Sequence, residues 1–133
     1  MTKHASGTFS VKMNPQVDDK VGDPTIGRME LDKQFLGNLE ATSKGQMLAC
    51  MTDVPGSAGY VAIERVKGKL DGYSGTFALQ HRGIMTRGEG QLSVAVVPDS
   101  GTGQLVGLSG DMTINIVDGK HFYEFEYAIA QPE

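Results

Sequence analysis

The sequence has no tryptophan, a single cysteine and no long apolar run, and each absence removes a class of protein. Cys50 has no partner within the 133 residues, so an internal disulfide framework is excluded and a reducing compartment is consistent with the chain. With no second cysteine and only three histidines, metal-ligand spacing is missing, and neither a metal nor another cofactor is implied. No segment approaches the roughly 18 apolar residues of a membrane span. The opening residues, MTKHASGTFSVKMNP, also lack the apolar stretch of a signal peptide. The expectation is a soluble, cytoplasmic protein with no membrane partner. The 12 Lys and Arg are outnumbered by 16 Asp and Glu and lie scattered along the chain, which argues against nucleic acid as a partner.

What the chain does have is glycine. Eighteen glycines against five prolines punctuate it at intervals rather than forming a low-complexity tract, and no repeat of fixed period is present. A chain of 133 residues is read as one domain, residues 1–133, large enough to bury roughly two thirds of its unfolded surface.

Between the glycines, apolar and polar residues alternate. Phe9, Val11 and Met13 alternate with Thr8, Ser10 and Lys12, the period of a half-buried strand. Met29, Leu31 and Phe35 do the same against Arg28, Glu30, Asp32 and Gln34, with Lys33 falling on the apolar side. Gly45 to Asp53 and Tyr60 to Lys67 carry apolar residues on both faces, which points to a covered outer wall and hence to a homo-oligomer. Phe77, Leu79, His81 and Met85 share a face, as do Leu92, Val94 and Val96 before Pro98 ends the ladder. Met112, Ile114 and Ile116 form another such set, and Tyr123, Phe125, Tyr127 and Ile129 face away from Glu124 and Glu126.

Turn chemistry separates these segments. Gln16 to Thr25 reads as a polar loop, Asp53 to Ser57 as a turn, and Asp71-Gly72 and Asp118-Gly119 as two-residue hairpins. Asp99 to Gly103 suits a tight loop or one helical turn capped by Asp99 or Ser100. About eight strands with short connections and no amphipathic helix predict an all-β fold, a closed antiparallel eight-stranded meander barrel. Closure also removes exposed strand edges.

Several side chains break the apolar interior and become candidates for chemistry. His81 is phased inward, where a neutral imidazole donates one hydrogen bond and accepts another, either to a ligand or to a core partner. Glu64 shares a face with Tyr60, Ala62 and Val66; an inward carboxylate there has a raised pKa and serves as acid or base. Arg65 occupies the opposite face, and alternation alone leaves open which of the two points inward. Lys33 is either the ion-pair partner of Glu64 or a side chain reaching for the barrel mouth.

Tyr123 and Tyr127 bring hydroxyls to an apolar lining that includes Phe77, as core packing or as polar handles for a ligand. The methionines at 13, 29, 47, 51, 85 and 112 line an adaptable cavity or fill irregular space. DSGTGQLVGLSG lacks the Gly-Lys-Ser/Thr ending of a phosphate-binding loop and reads as a structural corner. No Gly-x-Ser-x-Gly elbow or activated cysteine signals nucleophilic catalysis.

Leu79-Gln80-His81-x-Gly83, then Pro98 through Gly103, then Gly107-Leu108-x-Gly110, resemble the motifs of a bacterial family catalogued as a domain of unknown function. Glu64 ahead of Gly68, Asp71-Gly72, Gly75-x-Phe77 and His121 through Tyr127 extend the resemblance over nearly the whole chain. It implies a closed eight-stranded barrel similar to allene oxide cyclase and related to the plant dirigent proteins, with no established activity. No functional residue of the cyclase carries over to a numbered position here.

The leading expectation is a barrel that binds a small, mainly apolar ligand, with His81, Glu64, Lys33, Tyr123, Tyr127 and Phe77 as its contacts. The alternatives are an isomerase or cyclase acting on a lipid-like substrate, with His81 or Glu64 as acid or base, and a structural module that assembles with copies of itself.

Overall fold

The computed structural model describes residues 2–16 and 25–130. Eight strands follow one another: β1 (Lys3–Pro15), β2 (Ile26–Gly37), β3 (Leu39–Met51), β4 (Ala58–Leu70), β5 (Tyr73–Thr86), β6 (Glu89–Val96), β7 (Leu108–Val117) and β8 (Lys120–Ile129). Each pairs antiparallel with its neighbour in sequence, and β8 returns to β1 to close the barrel. The all-β meander barrel expected from the alternation is therefore the fold. No helix among the described residues is long and apolar enough to cross a membrane.

The hairpins follow from residues that tolerate a left-handed backbone. Asp71-Gly72 and Asp118-Gly119 have φ of 48° and 88°, and 51° and 78°, so both central residues are left-handed, as the twist of a tight hairpin requires. Arg87-Gly88 makes a third such pair, at 48° and 93°, where no Asn or Asp precedes the glycine. Of the polar loop expected from Gln16 to Thr25, residues 17–24 lie outside the described residues.

Between β6 and β7 the chain makes one 3-10 turn, Gly103–Leu105. Neither Asp99 nor Ser100 caps it, contrary to expectation. The residue before the turn is Thr102, which makes no side-chain capping bond. The hydroxyls instead satisfy amides of β5: Ser100 Oγ accepts from the Ala78 N–H at 3.0 Å and Thr102 Oγ1 from the Thr76 N–H at 3.1 Å. The segment is thus the structural corner expected from its glycines, strapped across β5 and pressing Leu105 into the core.

That core fills one half of the barrel. Phe77 stacks on Phe125 at 6.0 Å between ring centres, Phe125 on Tyr127 at 5.4 Å, and Phe35 meets Tyr123 edge-on at 5.7 Å. The other half is looser. β6 and β7 register only through Val94 with Met112 and Ala95 with Asp111, so residues 89–93 and 113–117 splay apart. On the outer wall, Leu48 and Val61 are register partners and, with Ile63, are about half exposed. The covering expected for this face is not supplied by any described part of the chain.

Candidate functional site

At its looser end the barrel holds a cavity of about 790 Å³, lined from all eight strands. Its wall is the inward face of the alternating pattern, so it is mostly apolar. Met13, Met29, Met47, Met51 and Met85 lie on it, giving a lining of flexible thioethers, whereas Met112 is in the core. The polar groups that reach it include Lys33, Tyr60, His81, Gln91 and His121. No Asp or Glu is among the described lining residues.

The floor is built by four consecutive strands. Lys33 on β2 is the register partner of Ser43 on β3, Gly45 on β3 lies opposite Glu64 on β4, and Ala62 on β4 lies opposite His81 on β5. All four polar side chains point inward and converge. Glu64 Oε2 accepts from Lys33 Nζ at 2.7 Å and from His81 Nε2 at 2.5 Å, while Oε1 accepts from Ser43 Oγ at 2.7 Å. Glu64 is 1% exposed and Arg65 faces solvent, which settles the choice that alternation left open.

Two glycines make the arrangement sterically feasible. A Cβ on Gly45 would lie 2.7 Å from the Glu64 Cβ, and one on Gly83 would lie 2.2 Å from the Tyr60 ring. Gly83 of the Leu79-Gln80-His81-x-Gly83 motif therefore lets an aromatic ring lie in the wall beside the histidine.

The electrostatics correct one expectation. Burial by itself pushes the Glu64 carboxyl up, as the sequence suggested. The His81 hydrogen bond, the Lys33 charge and the remaining contacts with both outweigh it and hold the group down at about 2. Glu64 is thus a paired anion and not a proton donor near neutrality. Tyr60 is shifted upward, first by burial and then by the Glu64 charge, so its phenol stays protonated. Lys33 also sits 5.1 Å from the Phe9 ring centre, a favourable cation–π approach. His81 uses Nε2 for Glu64, and its Nδ1 has no partner among the described residues.

Phe77, Tyr123 and Tyr127 do not line the cavity. They are inward as expected, but they belong to the packed half. The Tyr123 hydroxyl accepts from the Leu39 N–H and donates to the Leu36 carbonyl, each at 2.9 Å, and the Tyr127 hydroxyl donates to the Asp71 carboxylate. Burial, opposed by the Leu39 hydrogen bond, raises Tyr123; burial and the Asp71 bond raise Tyr127 further. These phenols staple the β2–β3 and β4–β5 turns to β8 and leave no hydroxyl for a ligand. Four polar residues of the site, Ser43, Tyr60, Gln91 and His121, were not among the candidates drawn from the sequence. Ser43 is a small polar residue in phase with Ala41 and Met47, and His121, tilted against Phe9 at 5.0 Å, starts the inward face of β8.

Fold and site together define a class: a closed meander barrel, packed at one end and hollow at the other, with a buried Lys–Glu–His cluster between. Within that class the sequence match is specific. The family described as "Protein of unknown function (DUF3224)" matches residues 5–127, and the chain belongs to it. A solved structure of a DUF3224 protein of unknown function from Shewanella oneidensis MR-1 is 50% identical, with a TM-score of 0.90 over 98% of this chain and 100% of that one. No curated protein matches.

Proposed function

We propose that this protein is a cytoplasmic binding barrel that takes a small, mainly apolar ligand into its hollow end. The observation that carries the reading is the cavity, about 790 Å³ of mostly apolar wall with Lys33 and His81 on its floor. That volume and that sparse polarity suit a small-molecule site. Lys33 and His81 are the contacts, and Glu64 is the positioning residue behind them. The splayed β6–β7 seam offers a route inward, and the lone Cys50 suits a reducing compartment. The likeness to allene oxide cyclase belongs to the same proposal and rests on the eight-stranded closure.

Native mass spectrometry of protein purified from its own host, followed by solvent extraction, tests for a retained apolar molecule. Ala49 lies in the cavity wall away from the ionic floor, so Ala49→Phe fills space without touching the cluster. The expected result is loss of the retained molecule, with a melting temperature equal to that of wild type stripped of it by extraction. A wild-type barrel that retains nothing and gains no thermal stability from any apolar compound would defeat the reading.

A second reading is the isomerase or cyclase acting on a lipid-like substrate, and one observation favours it. An imidazole held through one nitrogen by a buried carboxylate, with the other nitrogen free, is the arrangement of an oriented general base. Solvent deuterium exchange into an enolisable carbonyl compound, lost in His81→Gln, would mark it; no exchange leaves binding alone. Self-assembly would use the exposed Leu48, Val61 and Ile63, and light scattering that reports a single-chain mass at high concentration rejects it.

A further inference from the structure

Among the described residues, the cavity wall carries amino and imidazole groups and no carboxylate. Lys33 enters from β2, His81 from β5 and His121 from β8. Glu64, the carboxylate nearest the floor, lies behind the wall with both oxygens already engaged, Oε1 by Ser43 and Oε2 by Lys33 and His81. A head group resting on the floor therefore meets the remaining N–H donors of Lys33 and the Nδ1 of His81. Both nitrogens that hold Glu64 share one of its oxygens, so these two groups are adjacent.

We infer that the cavity takes amphiphiles with a single anionic head, a carboxylate being the simplest, and that each binds together with one proton on His81. The inference rests on the ligand-binding reading above. Lys33 and Glu64 cancel, so the floor is charge-balanced with a neutral imidazole. A carboxylate laid against it adds one negative charge beside Leu31, Ala62 and Ile114, where an unbalanced charge is poorly solvated.

One proton restores the balance. Because Nε2 already points at Glu64, that proton goes to Nδ1 and turns an acceptor into a donor aimed at the ligand. The anion is then held by an ammonium and an imidazolium, with Glu64 steadying both from behind. Among the described residues, the other titratable groups turned to the same space are Tyr60 from β4 and His121 from β8, while β6 and β7 contribute Leu92 and Ile114. Tyr60 stays a neutral phenol, raised by burial and by the Glu64 charge. His121 packs on Phe9 nearer the rim and makes no contact with Glu64, so it serves as the internal control.

The test is calorimetric titration of the full chain with octanoate and with octanol, in buffers of different ionisation enthalpy near pH 8. Octanoate is expected to bind at least about tenfold more tightly than octanol and to take up close to one proton. Its affinity then falls about tenfold per pH unit over the range where that uptake holds. Octanol takes up none. His81→Gln is expected to abolish the uptake and His121→Gln to keep it. The proton count is read on the wild-type protein, so a folding failure of His81→Gln does not blunt the test. Octanoate binding no tighter than octanol, or without proton uptake, overturns the inference and leaves the binding barrel standing. If neither probe binds at any pH, the inference falls; the ligand-binding reading falls with it when the purified barrel also retains no molecule and no apolar compound raises its melting temperature.

Discussion

Glu64→Ala is expected to destabilise the barrel by about 4 kcal/mol, the loss typical of removing one partner from a buried ion pair. The substitution leaves the Lys33 ammonium and the His81 ring, 6% and 4% exposed at the side chain, without their shared acceptor. Ser43 loses its acceptor as well. Urea denaturation at neutral pH measures the change. The double variant Glu64→Leu with Lys33→Met is expected to recover most of the loss, because both charges leave together and apolar groups of similar size remain. A Glu64→Ala barrel within about 1 kcal/mol of wild type would show that the cluster is solvated and not buried.

The same cluster gives the protein an acid limit. Glu64 titrates at about 2 in the folded barrel against an ordinary 4.5, so as pH falls the unfolded chain takes the proton first. Stability from this carboxylate is therefore fully present above about pH 4.5 and is lost as pH falls from there through about 2. The amount is about 3 kcal/mol, in line with the mutational figure. Glu64→Gln removes the titrating group, so its stability is expected to be lower at neutral pH and flatter across that window.

The barrel was legible because closure gives every strand one inward and one outward face, and alternation reports that choice directly. Lys33 could be singled out on those grounds alone, as a cation in an apolar phase. Glu64 and Arg65 could not be separated, since the residues that decide between them, Lys33, Ser43 and Gly45, lie on β2 and β3 and meet Glu64 only through register. Phase also says nothing about height along the barrel axis. Tyr123, Tyr127 and Phe77 are inward like His81, yet they sit in the packed half, and their distance from the cavity depends on the stagger between strands. Burial misled for a related reason. Alone it raises a carboxyl, and only the two nitrogens brought by neighbouring strands reverse the sign for Glu64.

Leu105→Ala is expected to cost about 3 kcal/mol while leaving occupancy of the cavity unchanged, since deleting a buried leucine removes apolar contacts and opens a void. Leu105 is 1% exposed and hangs from the 3-10 turn that closes the packed end; it is not among the cavity-lining residues. The turn cannot easily slide to refill the void. The Gly75 Cα passes so close beneath it that a Cβ there would lie 2.0 Å from the Thr102 carbonyl oxygen, and Thr102 is tied to Thr76 through both backbone and hydroxyl. Denaturation with and without octanoate separates the two ends. Leu105→Ala should lower the midpoint yet keep the same increment on adding ligand, whereas Ala49→Phe should keep the midpoint and lose the increment. An increment that vanishes in Leu105→Ala would mean that the packed half sets the shape of the floor, and that stability and binding in this barrel cannot be varied independently.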